Sequence, residues 1–102
     1  MNNQLTNKIE KIIYNIRGSN VMIDSDLAEL YGVKNKDLTR QVKRNKSRFP
    51  EDFLVIPNSE ELEDLRRQFG AANPVTNWNY MRRSPPMLFT ESGIAMLSTV
   101  LN

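Results

Sequence analysis

Residues 24–50 read DSDLAELYGVKNKDLTRQVKRNKSRFP and carry the clearest local pattern in the chain. Asp24 or Ser25 is a suitable cap for a short helix, predicted over residues 26–30, whose inward side chains are expected to be Leu27, Ala28 and Leu30. Gly32 predicts a sharp turn, because glycine adopts positive φ without steric cost. The segment from Asp24 to Phe49 therefore predicts two helices joined by a tight turn.

The second helix is predicted to run from Asn35 or Lys36 to Arg48 and to end before Phe49-Pro50, because a proline disfavours helical backbone in the residue before it. At 100° per residue, one side of this helix carries its apolar side chains, Leu38, Val42 and Phe49. The other side carries basic and hydroxyl groups, from Lys36, Arg40, Lys43, Arg44 and Ser47. A helix of this kind buries one stripe and presents cations on the opposite one.

Charge is distributed unevenly along the chain, although its net value is only +2. Seven of the fourteen basic residues lie in residues 34–48, opposed there by Asp37 alone. Residues 51–64 then hold six acids and no base. This separation predicts a small domain with one cationic face, as nucleic-acid binding requires, and one acidic face.

Length and composition favour one binding domain over an enzyme. The 102 residues, 39% of them apolar, are expected to form a single domain over residues 1–102 with a modest core. The chain contains neither cysteine nor histidine, so disulfides, thiolate metal sites and the commonest general base are excluded. We therefore expect no catalytic residue, no metal and no cofactor. The sequence shows no signal peptide and no apolar run of membrane-spanning length, which predicts a cytoplasmic protein without a membrane partner.

The strands are predicted from short β-branched or apolar runs. Residues 12–16 and 21–23 are such runs, and the turn formers at 17–20 between them indicate a hairpin. Residues 53–56 are expected to form a short buried strand, with residues 87–89 as a candidate partner. Together with the helices, these strands predict an α+β fold: a small winged-helix-like domain with a helix-turn-helix and short β-hairpins.

Two further helices have recognisable start signals. Asn58 followed by Glu61 resembles a capping box, which predicts a charged helix ending at Gly70. Residues 71–86 are expected to be a loop. Thr90 is expected to cap a last helix, whose apolar side consists of Ile94, Leu97, Val100 and Leu101.

Several motifs together resemble the phage and viral "ORF-six-N" domain, a relative of the KilA-N and Bro-N domains. They cover most of the chain and read IRG at 16–18, VMIDSDLAELYGV at 21–33, VKRN at 42–45, RFPEDF at 48–53 and FTESGIAML at 89–97. The resemblance implies a DNA-binding module at the N-terminus of a phage antirepressor-like or prophage regulatory protein. Thr39 stands where the resemblance leads us to expect asparagine.

Sequence-specific binding of double-stranded DNA is therefore the expected function. The candidate contacts are ten residues, eight from the turn and the second helix and two from the later loop: Lys34, Asn35, Lys36, Thr39, Arg40, Lys43, Arg44, Ser47, Arg82 and Arg83. Long cationic side chains can reach phosphates and guanine edges in the major groove. Arg82 and Arg83 can contact phosphate, as the wing of a winged-helix domain does.

Two alternative functions, a protein-interaction module and a nuclease, remain open from the sequence. The apolar side of the last helix could bind a partner protein, or a second copy, in which case two basic helices would read a palindrome. We favour a monomer, because so small a core can hardly spare four large side chains. The acids of residues 51–64 could suggest a magnesium nuclease, although their spacing fits a solvated helix face better. Because the sequence ends at Asn102 without a stop signal, we also expect a truncated chain or a helix continuing into an effector region.

Overall fold

The structure is a computed structural model that describes residues 12–69 and 85–101. The described residues form four strands, four α-helices and one short 3₁₀ helix. In chain order these are β1 (Ile13–Ile16), β2 (Ser19–Ile23), α1 (Asp24–Tyr31), α2 (Asn35–Arg44), the 3₁₀ helix (Lys46–Arg48), β3 (Leu54–Val55), α3 (Ser59–Phe69), β4 (Leu88–Thr90) and α4 (Glu91–Val100). The predicted α+β, winged-helix-like fold class is confirmed.

The predicted N-terminal hairpin is present, with a tighter turn than the sequence indicated. β1 and β2 are antiparallel, and Ile16 lies opposite Ser19, which leaves Arg17 and Gly18 as the two loop residues. Both have positive φ, 54° and 76°. This is the turn geometry whose twist matches that of the two strands it joins.

The four strands form one antiparallel sheet in the order β1-β2-β4-β3. The predicted pairing of the third and fourth strands is confirmed, with Leu54 opposite Phe89. β3 is shorter than the four residues predicted, because the N–H groups of Phe53 and Leu54 both bond the Pro50 carbonyl at 2.8 and 3.0 Å. Those bonds form a turn where the prediction had placed the first residue of a strand.

The sheet separates two apolar clusters. Successive strand residues point to opposite faces, so Val21 and Ile23 join one cluster and Met22 joins the other. Leu65 of α3 packs in the cluster of Val21 and Ile23, whereas α1, α2 and α4 pack in the cluster of Met22. α2 and α3 therefore lie on opposite sides of the sheet.

α1 follows β2 without a loop, and its N-terminus differs from the prediction. Neither Asp24 nor Ser25 is the N-cap; that position is Ile23, which makes no side-chain cap bond. Asp24 is the first helical residue and is buried. Its carboxylate accepts hydrogen bonds from the backbone N–H groups of Ser25 at 2.7 Å and Met87 at 3.1 Å. The side chain thus ties α1 to the segment that enters β4.

The end of α1 confirms the predicted glycine turn. Gly32 has φ 67°, its N–H bonds the Glu29 carbonyl, and the Val33 N–H bonds the Ala28 carbonyl at 2.9 Å. This pair of bonds is a Schellman motif, which ends a helix and redirects the chain. Leu27 and Ala28 are buried as predicted, but Leu30 is 42% exposed. At 100° per residue it lies roughly 110° from the centre of the Leu27–Ala28 stripe.

The capping box of α3 is confirmed, and its Glu61 also binds the turn of the β1–β2 hairpin. The Asn58 N–H bonds Glu61 Oε1 at 3.0 Å, and the Glu61 N–H bonds Asn58 Oδ1 at 2.8 Å. Arg17, in the hairpin turn, makes two hydrogen bonds to the same carboxylate, at 2.6 and 2.9 Å. At the other end of α3, the Gln68 amide bonds both the N–H and the carbonyl of Asn15, each at 2.9 Å.

α4 begins at the predicted cap, since Thr90 Oγ1 accepts a bond from the Gly93 N–H. Leu97 is fully buried, and Ile94, Val100 and Leu101 are partly buried against the same cluster. Leu65 of α3 does not contribute to this cover, because it lies on the other side of the sheet. The helices of the 24–44 segment provide the cover instead.

Candidate nucleic-acid interface

α2 is held in place by the apolar stripe that the sequence predicted. Leu38 and Val42 are 0% and 2% exposed, and both belong to the cluster beneath α1 and α4. Phe49, after the 3₁₀ helix, meets Phe89 of β4 edge to face, with ring centroids 6.0 Å apart. These contacts fix which side of α2 faces solvent.

α2 ends four residues earlier than predicted, at Arg44. Asn45 is the reason: its Nδ2 donates to the Gln41 carbonyl at 2.8 Å, and its backbone leaves helical geometry with φ −114° and ψ 33°. Residues 46–48 continue as the 3₁₀ helix. Ser47, predicted on the basic side of an α-helix, is therefore exposed on this short turn instead.

The solvent side of α2 carries the predicted cations together. Lys36, Arg40, Lys43 and Arg44 are exposed, and Thr39 is half-buried among them. These five side chains line one shallow open hollow of about 440 Å³. Arg40 lies 3.6 Å from the Asp37 carboxylate across an exposed turn of the same helix.

A second hollow lies beside the first, at the start of α2. The structure brings Asn35 there, half-buried, with its Oδ1 shielded from solvent and without a hydrogen-bond partner within the described part of the chain. Lys34 precedes it as the exposed N-cap residue of α2. The hollow is lined from two directions, by Asn35, Lys36, Thr39 and Lys43 on α2 and by Asp24, Pro85 and Met87 beside it.

Eight of the ten predicted contact residues are thus grouped on α2 and its flanking turns. Arg82 and Arg83, the two predicted wing contacts, lie outside the described residues. The sequence prediction omitted Lys46 and Arg48, which the structure exposes on the 3₁₀ helix. Their charge was visible in the sequence, although on a continuous helix Lys46 would lie about 100° from the centre of the predicted basic side.

Four of the acids lie on α3, across the sheet from α2, and three of these four, Glu61, Glu63 and Asp64, form ion pairs. On α3, Glu63 contacts Arg66, and Asp64 contacts Arg67 at 3.5 Å. Residues 12–69 and 85–101 contain no group of three or more histidine, cysteine, aspartate or glutamate side chains placed to hold a metal ion. Within the same residues, no helix has the length and apolarity needed to span a bilayer.

These features define the class: a small α+β domain of winged-helix-like architecture with a cationic helix on one side. The sequence matches the ORF6N domain over residues 11–100. The chain therefore belongs to the ORF6N family, a phage-associated domain. Comparisons with curated proteins and with solved structures gave no significant match.

Proposed function

We propose that this chain is a sequence-specific double-stranded DNA-binding domain, in which α1, the Gly32 turn and α2 act as a helix-turn-helix. One observation carries the proposal: α2 buries Leu38 and Val42 and presents a continuous row of cations to solvent. In such a unit the second helix enters the major groove and the first crosses the DNA backbone.

The charges on α2 are available to an external anion. Lys36, Lys43 and Arg44 have no carboxylate within ion-pair distance in the described part of the chain. Arg40 has one ion-pair contact within the described residues, at 3.6 Å between side chains that are 54% and 48% exposed, and such a pair contributes little. Cations of this kind gain most from phosphate, because binding releases counterions condensed on the DNA.

The fold also separates the two kinds of charge, with the cations of α2 on one side of the sheet and the acids of α3 on the other. α3 and its acids lie across the sheet from α2, so a duplex approaching α2 meets the cationic face, and the acidic face points away from it. A charge distribution of this kind orients the encounter and speeds association. The buried side of α2 and the Schellman turn hold the row of cations in a fixed direction.

The biological role we propose is transcriptional regulation in a phage or prophage, of the antirepressor type. Membership in a phage-associated family supports this role. The proposal involves no catalytic step, metal or cofactor. It places the protein in the cytoplasm, with duplex DNA as its partner and with a homodimer or a C-terminal effector region as further options.

The first test is fluorescence anisotropy of a labelled duplex titrated with the 102-residue chain at several salt concentrations. If about four phosphates are contacted, log K should fall with log salt at a slope near −3.6, because each contact contributes about −0.9. Arg40→Ala and Lys43→Ala should each weaken binding. A residue that contacts a base should lose about 1 to 3 kcal/mol of binding free energy when it is replaced. A residue that contacts a phosphate should instead reduce the magnitude of the salt slope by about 1.

Arg67→Ala is the matched control. Arg67 is an exposed cation whose side chain is 71% accessible, but it lies on α3, across the sheet. It should leave affinity and salt slope unchanged. Wild-type affinity in both α2 variants, or equal losses in Arg67→Ala, would rule out α2 as the DNA-contacting helix.

The competing hypothesis, a protein-interaction module built on α4, has less support. Leu97 is fully buried within its own domain, and its three apolar neighbours on the stripe are partly covered. Such a helix has little apolar surface left for a partner.

A further inference from the structure

Thr39 is the one short side chain in the middle of the cationic row. Lys36 lies one turn before it and Lys43 one turn after it, and all three line both hollows on this side of α2. Side chains three and four residues apart share one side of a helix. Because the lysines are exposed and Thr39 is half-buried, the surface that these side chains form is recessed at Thr39.

The two branches of the Thr39 side chain have different environments. Its Oγ1 hydroxyl donates to the Lys36 carbonyl of the same helix, at 3.2 Å. A hydroxyl that donates to a backbone carbonyl cannot donate to a second partner while that hydrogen bond holds. The γ-methyl is the one apolar group of this side chain, and Thr39 shares its hollow with four long cationic side chains.

We propose that Thr39 reads the C5-methyl group of a thymine in the major groove. The inference rests on the proposed DNA-binding function and specifies what one position of the site recognises. Lys36 and Lys43 are about 10 Å apart along the helix axis, which is close to the major-groove width of about 12 Å. When the two lysines reach the flanking phosphates, the short residue between them lets the helix approach the bases.

Thymine is the base that fits this contact. It carries a methyl group on its major-groove edge, and a threonine methyl is among the groups that recognise it by apolar contact. Adenine, guanine and unmodified cytosine present hydrogen-bonding groups there instead. An apolar centre flanked by cations therefore favours a thymine between two phosphate contacts.

The experiment begins with selection of a binding site from a random duplex pool, using the 102-residue chain. Each thymine of the selected site is then replaced singly by deoxyuridine, which removes the C5-methyl and nothing else. At one position the wild type should lose about fourfold in affinity, the ratio expected for burial of one methyl group.

Two variants of Thr39 separate its methyl from its hydroxyl. Thr39→Val keeps a methyl and loses the hydroxyl, so it should still discriminate thymine from deoxyuridine at that position. Thr39→Ser keeps the hydroxyl and loses the methyl, so it should bind both duplexes alike. Circular dichroism and thermal unfolding of the two variants should match the wild type, because the residue lies on the solvent side of α2.

Three results would overturn the inference. The first is a selected site with no methyl-sensitive thymine, and the second is discrimination that Thr39→Ser retains. The third is discrimination that Thr39→Val loses, because this variant keeps a methyl group at the same position. In all three the chain still binds DNA in a salt-dependent way, so the proposed function survives. A chain that enriches no duplex and shows no salt-dependent binding overturns both.

Discussion

At Gly93 the backbone of α4 lies directly against the Phe53 carbonyl. A methyl group added at this position would stand 2.0 Å from that oxygen, well inside van der Waals contact. The same carbonyl accepts a hydrogen bond from the Thr90 N–H at 3.1 Å, so it cannot move away without breaking a second contact. Glycine is required here by close approach, and the GIAML end of the family motif begins at this contact.

We predict that Gly93→Ala destabilises the domain by about 3 kcal/mol or more, because overpacking at a fixed backbone atom is relieved only by displacing α4. Urea unfolding followed by circular dichroism measures the loss. Ser92→Ala is the control, since Ser92 is exposed in the same turn and should change stability by less than about 0.5 kcal/mol. Equal stability of the two variants would contradict the contact.

Gly32 is required for a different reason. A methyl added there would meet no atom within 4 Å, but the residue has φ 67°, a conformation that side chains disfavour. We predict that Gly32→Val costs about 2 kcal/mol or more, and that Gly32→Asn costs less, because asparagine tolerates left-handed backbone and valine does not. Thermal unfolding distinguishes the two; similar losses in both would mean that space, not conformation, constrains this turn.

Among the elements, α3 and the β1–β2 hairpin are joined by the ion pair between Arg17 and Glu61. The hydrogen bonds from Arg17, and then that from the Asn58 backbone, hold the pKa of the Glu61 carboxyl below its ordinary value of 4.5. The folded state therefore binds this proton less readily than the unfolded state. The resulting stability is present above the ordinary pKa and is lost as pH falls through the lowered one.

Glu61→Gln removes this titration. We predict a small loss of stability at pH 7, since the Arg17 side chain is about half exposed and the pair is screened by solvent, and a smaller difference from wild type at a pH of about 3. Urea unfolding at both values measures the change. Glu60→Gln, one residue earlier and exposed, should follow the wild-type pH dependence. A stability gap that widens as pH falls would contradict the sign of the shift.

The sequence predicts those element boundaries that depend on neighbouring residues. Gly32, the Asn58–Glu61 box and Thr90 were predicted from residues within four positions, and each is confirmed. The start of α1 was mispredicted because the Asp24 carboxylate bonds Met87, 63 residues away, which no local pattern contains. The pairing of β2 with β4 is of the same long-range kind and was not predicted.

The grouping of cations on α2 follows from local sequence pattern. Charge and the 3.6-residue period were enough to group Lys36, Arg40 and Lys43 on one side of α2. The second hollow was not foreseen, because Pro85 and Met87 reach α2 from a distant part of the chain. The amide of Asn45, which ends α2, could have been noticed as a local hydrogen-bonding side chain that competes with the helix.

At the scale of the whole molecule, the apolar side of α4 is used within its own domain. We predict that the chain is a monomer in the absence of DNA, sedimenting at micromolar concentration with a mass near 11.8 kDa. Leu97→Glu should then unfold the domain, because Leu97 is fully buried. A stable dimer that Leu97→Glu separates into folded monomers would contradict this prediction and favour the palindrome-reading arrangement.

The hydrogen bonds between Gln68 and Asn15 have a consequence for how these molecules behave toward one another. Among the strands of residues 12–69 and 85–101, β1 lies at the edge of the sheet, and the backbone groups of an edge strand can template pairing with another chain. The Gln68 amide occupies both polar groups of Asn15 at that edge, where an added strand would bond. A side chain of α3 thus occupies the backbone groups to which a strand of another molecule would bond, and this protects the edge against strand addition and aggregation.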